Sequence, residues 1–487
     1  MMAITTATHG PNLKCPSKRC RSARPRVLAA IAIAACLHQC GATLAVQAQT
    51  RSSDPSAQVS VRDGLSLTSA VEIALRSNPL HRVTSSGQEL AAAQLEEARA
   101  GRLPVVQLSQ TAIRSNNPVF VFGSLLEQAR FGPLNFDPHF LNNPDPLTNL
   151  RAAMTFRFPL FDQKQSDTKI QQARIAQQQA DSQRESVEQE IRYQVLRAYY
   201  GLLVEQAKKE VSEEAVKAAS ADVKRIGDLV DTGLVVQSDL LSAEVQLAEF
   251  RQQNIQAEGD LVTAQAALNT VLAAPVDAPQ KVTGLLVDKT FTVGTQAELI
   301  GLALERRPDL IRAGLALKSS KEKTRAAHGE YLPRLDVFGT YGLSGSNLTS
   351  GSADYTVGAS VTFNLFDAGR GARLGQARAA EDIAAADAEN TANQIRFEVV
   401  RAYQQFISAR ERVAVAIRAE VQAKETLRIV RDRYGEGLTT ITEVLRAETA
   451  FVRARMSLLA ARYDHYIGYA GVLLVSGRLT NVDDFVS

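Results

Sequence analysis

The chain has 487 residues, no tryptophan and 6% aromatic residues, and Ala, Gln, Glu, Arg and Leu dominate residues 162–272 and 367–470. This composition indicates long helices that bury small side chains against one another, and it argues against three ordinary packed domains. Six of the 55 basic residues precede residue 48, where no acidic residue occurs, so the rest of the chain has 49 basic and 52 acidic residues; this net charge of −3 gives no support for nucleic-acid binding.

The first 48 residues are predicted to be a secretory signal peptide. Their six basic residues are followed by an apolar run from Val27 to Val46 that ends in small residues. Cleavage is predicted after Ala48. Lipidation at Cys36 is the alternative, because Ile33–Cys36 loosely resembles a lipobox. All four cysteines lie in this leader, so a chain cleaved there has no disulfide or thiol chemistry.

The remaining sequence consists of two copies of one unit. Ala74–Pro79 corresponds to Ala303–Pro308, and Arg197–Tyr199 corresponds to Arg401–Tyr403. The offset between matching segments falls from 229 to 204, which places a longer insertion in the first copy, between residues 115 and 147. A repeat constrains every element twice, so both copies are expected to have the same order of helices and strands.

Each copy is predicted to begin with two short helices. The first helices are expected at Ser66–Arg76 and Thr295–Arg307, each ending before a proline. The second are expected at Pro79–Gly101 and Pro308–Gly329, with proline at the start and glycine at the end.

The long helices have apolar residues at steps of three and four. This spacing is typical of a helix packed along a partner helix. A helix from Asp162 to Ile226 would span roughly 100 Å, longer than a globular core needs. At this point a soluble coiled-coil rod also fits. The residues of the two seams are Val187, Ile191, Val195, Ala198 and Leu202, and Ile395, Val399, Ala402, Phe406, Ala409, Val413 and Ile417.

Four segments alternate apolar and polar residues and are predicted to be membrane strands, with lipid on one face and water on the other. Four strands cannot close, and an open edge in lipid leaves unpaired backbone groups, so several copies must share one barrel. An amphipathic sheet over a soluble core is the alternative. The apolar rows are Val106, Leu108 and Ala112; Leu150, Ala152, Met154, Phe156 and Phe158; Leu335, Val337, Tyr341 and Leu343; and Tyr355, Val357, Ala359, Val361, Phe363 and Leu365.

The duplicated unit occurs together with Asn78–Pro79, Arg307–Asp309, the Leu-Phe-Asp joints between strand and helix, and the two Gly-Leu turns. On these features the chain resembles the TolC family of outer-membrane efflux and secretion channels over about residues 60 to 475. The resemblance implies a mainly α fold with membrane β structure: a homotrimer, with four strands per chain in a twelve-strand barrel that touches outer-membrane lipid. A long α-helical tunnel then crosses the periplasm to a periplasmic adaptor protein and an inner-membrane transporter.

The same resemblance implies a gate near the two turns, where the family closes its tunnel by hydrogen bonds and acidic rings. Asp239 matches the acidic latch residue, Tyr434 its partner, and Glu443 the outer acidic ring. Thr439 stands where the family has the latch arginine, so any latch is expected to be weaker or rewired. Arg446 stands where the family has the second acid, so the acidic ring is expected to be weaker. The implied gate residues are Ser238, Asp239, Tyr434, Thr439, Glu443 and Arg446, and the implied adaptor-docking turns are Gly233, Leu234, Gly437 and Leu438.

These elements divide the chain into eight predicted segments. In the first hairpin, a short helix at Ser124–Arg130 is expected to fold over the outer mouth or the subunit junction. The segments are 1–48, the signal peptide; 49–102, a tail and equatorial helices; 103–160, β-hairpin 1; 161–272, tunnel hairpin 1; 273–333, a linker and equatorial helices; 334–366, β-hairpin 2; 367–475, tunnel hairpin 2; and 476–487, the C-terminal tail.

No metal-ligand spacing, phosphate loop or catalytic motif occurs, so neither enzymatic activity nor a cofactor is expected. The predicted function is an outer-membrane channel subunit, a passive exit duct for small toxic compounds or a secreted protein. A periplasmic adaptor and a soluble coiled-coil scaffold are the alternatives. The first would carry a single helical hairpin, and the second would not need alternating strands.

Overall fold

A computed structural model describes residues 64–284, 286–347 and 350–486. The predicted leader, its cleavage site after Ala48 and the alternative lipidation site Cys36 lie outside these residues. The elements of the first copy are α1 (Leu67–Ser77), α2 (Pro79–Ala100), β1 (Val105–Ser115), α3 (Pro118–Glu127), α4 (Pro138–Asn142), β2 (Leu147–Asp162), α5 (Gln165–Asp231) and α6 (Gln237–Leu272).

The second copy repeats this order without the two helices between the strands. Helices α5 and α9 have 67 and 66 residues, and α6 and α10 have 36 and 35. The elements of the second copy are α7 (Gln296–Arg306), α8 (Pro308–Gly329), β3 (Arg334–Gly345), β4 (Ser352–Thr362), α9 (Arg370–Gly435) and α10 (Ile441–Val475).

The short helices start and stop where their capping residues predict. Ser66 accepts a hydrogen bond from the Ser69 amide at the start of α1. Thr295 and Glu298 form a capping box at the start of α7. A single residue separates the end of each of these helices from a proline, which lacks an amide hydrogen and restricts the residue before it.

The predicted seams of the long helices are buried or partly buried, and the expectation of helices packed along one another is confirmed. Ile191 and Val195 of α5 lie in the same core as Ile395, Val399 and Phe406 of α9. The short helices α1 and α7 complete this core, which also contains a cluster of aromatic side chains. Its members are Tyr199, Tyr200, Phe291, Phe406, Tyr466, Tyr469 and Phe485.

The four strands form one antiparallel sheet in the order β1-β2-β3-β4. Its register aligns the predicted apolar rows on a single face, while the polar residues share the other. One apolar row across the sheet is Leu108, Met154, Tyr341 and Tyr355, and the adjacent polar row is Gln107, Thr155, Thr340 and Thr356. Since side chains alternate between faces, the predicted division into an apolar and a polar face is confirmed.

The predicted end of the fourth strand is wrong. The sequence pattern places Phe363 and Leu365 in this strand, but β4 ends at Thr362, opposite Arg334 at the start of β3. Pro333 precedes Arg334 and has no amide hydrogen with which to extend the ladder.

The predicted bounds of the helix between the first two strands are also wrong. Instead of Ser124–Arg130, helix α3 covers Pro118–Glu127. The Asn117 side chain accepts hydrogen bonds from two amides of the first turn, which starts the helix earlier. The chain then leaves the helix at Ala129, whose φ is 54°.

Candidate gate at the helix turns

Each pair of long helices is joined by a turn that requires glycine. Gly233 and Gly437 have φ values of 74° and 72°, in the left-handed region. The next amide reaches back over the helix end: Leu234 N donates to Leu229 O at 2.9 Å, and Leu438 N donates to Arg433 O at 2.8 Å. This arrangement satisfies carbonyls that the helix end would leave unpaired.

The turns expose two leucines. The exposed fractions of Leu234 and Leu438 are 72% and 66%, and the neighbouring Val236 is exposed as well. Large apolar side chains at the tip of each hairpin form a contact surface of the kind that a protein partner covers.

A small core joins the two hairpins close to these turns. Ile226 of α5 and Ala243 of α6 pack with Ile441, Val444 and Leu445 of α10. Tyr434 is among the partly buried residues around this core. The fold therefore brings the predicted gate residues of both copies to the same end of the helices.

In the first copy, the predicted gate residues lie in the first turn of α6. Ser238 is exposed, and its carbonyl accepts a hydrogen bond from the Ser242 hydroxyl at 2.8 Å. Asp239 is half-buried, and its amide donates to Val236 O at 3.0 Å. An acidic side chain here also favours the positive end of the helix dipole.

Tyr434 lies near Asp239 without bonding to it. The Tyr434 hydroxyl is buried and has no hydrogen-bond partner among the described residues. The Arg225 guanidinium carbon lies 5.7 Å from the centre of its ring. Burial raises the pKa of the Tyr434 hydroxyl, and the negative charges of Asp239 and Asp222 raise it further. The positive charge of Arg225 lowers it in part. The implied latch pair is therefore not hydrogen-bonded within one chain.

Glu443 and Arg446 form an ion pair on the exposed side of α10. Arg446 Nη1 lies 3.0 Å from Glu443 Oε1, as their spacing of three residues predicts. Thr439, in the turn itself, is half-buried. Much of the negative charge at Glu443 is thus offset by a cation on the same helix.

A buried charge cluster near these residues was missed by sequence reasoning. Glu448 of α10 is only 4% exposed and forms an ion pair with Arg431 of α9. Arg431 Nη2 also lies 3.7 Å from Oδ2 of the buried Asp222 of α5. The cluster therefore connects both copies just beyond the tip core.

One acid of this cluster, Glu448, has a raised pKa. Oε2 of Glu448 and Oδ2 of Asp222 are both buried without a hydrogen-bond donor among the described residues. Burial, and then the neighbouring Asp222, raise the pKa of Glu448 to about 7, although Arg431 opposes the shift. A proton on Glu448 supplies a donor that a pair of carboxylates lacks.

A sequence signal for this cluster exists in the helix period. Glu448 follows Ile441 and Val444 at the buried positions of α10, and Asp222 stands between Ala219 and Ile226 on the buried side of α5. An acidic residue at an apolar position of the period is costly unless it is paired or protonated. Such interruptions of the seam are the feature to search for.

The described residues contain neither a helix that could span a membrane nor a cluster that could bind a metal. None of their helices combines the length and the apolar character that crossing a membrane requires. In the same part of the chain, no three His, Cys, Asp or Glu side chains lie close enough together to hold a metal ion.

Comparisons with known proteins agree with this architecture. The family model described as outer membrane efflux protein matches residues 70–274 and 299–478. The chain is 24% identical to the outer membrane protein TolC of Vibrio cholerae, over 69% of this chain and 78% of that protein. It is 26% identical to the outer membrane protein OprJ of Pseudomonas aeruginosa, over 78% of this chain and 77% of that protein. The solved structure of the Campylobacter jejuni CmeC outer membrane channel superposes with a TM-score of 0.73 at 17% identity, over 85% of each chain.

Proposed function

Because the chain belongs to the outer membrane efflux protein family, it is a channel subunit of the outer membrane, and we propose that three copies assemble into one passive export duct. The family match favours this function over the periplasmic adaptor and the coiled-coil scaffold. The single observation that carries the proposed assembly is the four-stranded sheet, whose edge strands β1 and β4 each pair with only one strand among the described residues.

The sheet supports a shared barrel through its two faces. Its apolar rows fit a lipid surface, and its polar rows fit a water-filled interior. Strand edges cannot remain open in lipid, because each unpaired backbone group costs several kcal/mol there. Pairing β1 of one copy with β4 of the next closes the ring, and three copies give twelve strands.

The long helices continue the duct away from the membrane. We propose that Leu234 and Leu438, with the glycines that form their turns, dock a periplasmic adaptor that links the duct to an inner-membrane transporter. The transporter supplies the energy, so the chain itself requires neither catalysis nor a cofactor. Small toxic compounds or a secreted protein are the proposed cargo.

The gate is proposed at the same end of the tunnel. Glu443 forms a ring of like charges around the axis of a closed assembly and favours cations, and Arg446 weakens that preference. Asp239 restrains the neighbouring helix pair, alone or through Tyr434, and Ser238 and Thr439 contribute polar groups to the closed turns.

Planar-bilayer recording tests this gate. Glu443→Gln should lower cation preference, and Arg446→Asp should raise it and add block by divalent cations. Asp239→Ala should raise the open fraction and leave selectivity nearly unchanged. If Glu443→Gln leaves selectivity intact and Asp239→Ala leaves conductance intact, the gate lies elsewhere along the tunnel.

A further inference from the structure

The connection between β1 and β2 is folded back onto the sheet. It spans residues 116–146, whereas the connection between β3 and β4 spans only 346–351. Helix α3, in the longer connection, contacts β2, β3 and β4. The helix thus crosses from the first hairpin to the β4 edge, where the proposed ring joins the next copy.

Hydrogen bonds identify the face on which α3 lies. The Gln128 side-chain amide, at the end of the helix, donates to Thr148 O and to Asn149 Oδ1, both at 3.0 Å. Asn149 in turn donates to Glu127 Oε2 at 3.1 Å. Asn149 alternates with the apolar Leu150 along β2 and therefore belongs to the polar face. Helix α3 lies on the side that faces the barrel interior.

A charge clamp fixes the helix to three strands. Arg151 of β2 binds both carboxylate oxygens of Asp354 of β4, at 2.7 and 2.8 Å. The same guanidinium donates to Ser344 Oγ of β3 at 2.9 Å and lies 3.6 Å from Glu127 Oε2. Ser344 also donates to Glu127, at 3.4 Å. Glu127 is the group through which the helix reaches this clamp.

The segment keeps a second apolar side uncovered. Val121 and Leu125 of α3 are buried, but Val119 is 81% exposed and Leu134, beyond the helix, is 88% exposed. Phe131 packs edge-on against Phe122 and Phe136, with ring centres 4.9 and 5.0 Å apart, and stabilises this arrangement. An apolar surface that points into a water-filled barrel is unfavourable unless another surface covers it.

We infer that the exposed side of residues 118–136 is an interaction surface for the same segment of the other copies of this chain. The three segments then meet over the interior of the barrel and form an apolar constriction at its outer end. This inference rests on the ring proposed above. The Glu127–Arg151–Asp354 clamp holds each segment to its own barrel wall. Such a constriction narrows the water path at the end opposite the helix turns.

Cysteine cross-linking tests the contact, because all four cysteines of the chain precede residue 41. Leu134→Cys, treated with a short bis-maleimide in the assembled protein, should give covalently linked chains on a denaturing gel. Ser350→Cys lies exposed in the short connection at the same end of the sheet and should give none. Linkage at both positions, or at neither, overturns the inference.

Conductance tests the clamp independently. Glu127→Ala should release α3 and raise the single-channel conductance, whereas Asp145→Ala, in the same connection but outside the clamp, should leave it unchanged. Unchanged conductance in both variants overturns the proposed role of the clamp. A heat-sensitive trimer band on a gel is recorded for every variant. A trimer band without cross-links rejects only the contact between the 118–136 segments. The absence of a trimer band in the unmodified protein rejects the proposed three-copy ring as well.

Discussion

The two turns at the helix tips share one backbone, whereas the two loops at the opposite end of the sheet differ in length and fold. Gly233 and Gly437 have φ values within 2° of one another and the same return hydrogen bond. Matching long helices of the two copies differ in length by one residue. Because each helical residue adds 1.5 Å, hairpins packed side by side must keep nearly equal length for their tips to meet.

The outer loops are under no such constraint. One carries helix α3 with a charge clamp, and the other is short. The burial of an acidic side chain also differs between the copies near the tips: Glu448 is buried, while Glu244, its counterpart at the offset of 204, is exposed. Duplication has kept the backbone of the tunnel and has let side chains diverge where the two copies take different surroundings.

The largest expected effect tests whether the copies are equal in the barrel wall. Met154→Arg in the first copy and Tyr341→Arg in the second place a charge on the apolar face near the middle of the strands. Each should cost roughly 2–4 kcal/mol per chain if that face meets lipid. Heat-sensitive trimer in the outer-membrane fraction should fall strongly for both.

Thr155→Arg and Thr340→Arg are the matched controls, one residue away on the polar face. They should leave the yield of folded trimer close to that of the unmodified protein. Equal yields from all four variants would mean that the two faces are assigned wrongly.

The second prediction concerns Glu448, which is buried although its counterpart in the first copy, Glu244, is exposed. Since the pKa of Glu448 is raised from its ordinary 4.5 to about 7, the folded protein holds a proton that the unfolded chain releases between these values. The resulting stability is fully present below pH 4.5 and is lost as pH rises through about 7. Thermal unfolding should show greater stability at about pH 5 than at about pH 8, by up to about 3 kcal/mol.

Glu448→Gln should abolish most of this dependence, because the amide is neutral at every pH in the range. Glu244→Gln, the exposed counterpart, should keep it. The same pH profile in Glu448→Gln as in the unmodified protein would assign the titration to another group.

The smallest expected effect tests whether the glycines of the two turns contribute equally to stability. Gly233→Ala and Gly437→Ala should each destabilise the chain by about 1–2 kcal/mol, because alanine resists the left-handed conformation. No atom lies within 4 Å of an added Cβ at either position, so only backbone strain contributes. Gly435→Ala, inside α9 with equal space, should not destabilise, and unequal losses at Gly233 and Gly437 would separate the two turns.

Much of the fold could be predicted because apolar residues recur at regular spacing along its helices and strands. The seam through Ile395, Val399 and Phe406 and the alternation along β2 both follow from regular spacing, which burial then matches. The glycines of the turns and the prolines after the first helices mark boundaries for steric reasons that the sequence displays directly.

The parts that sequence could not supply depend on contacts between distant segments. The helix period marks Glu448 and Asp222 as buried acids. Arg431 lies 17 positions from Glu448 and more than 200 from Asp222, so only the packing of α5, α9 and α10 shows that the three residues meet. Arg151 and Asp354 lie 203 positions apart in sequence and are brought together by the register of the strands. The end of β4 depends on Pro333, which directly precedes the partner strand β3, and the pattern of β4 alone does not contain this information.

In the proposed three-copy ring, the sheet edges β1 and β4 have a consequence for gene dosage. A chain with one damaged edge still offers its sound edge to a neighbour, so it enters a ring and prevents it from closing. When damaged and normal chains are made in equal amounts, only about one three-copy ring in eight contains normal chains alone. An allele of this kind acts dominantly in the cell, although the damaged chain by itself has merely lost a strand pairing.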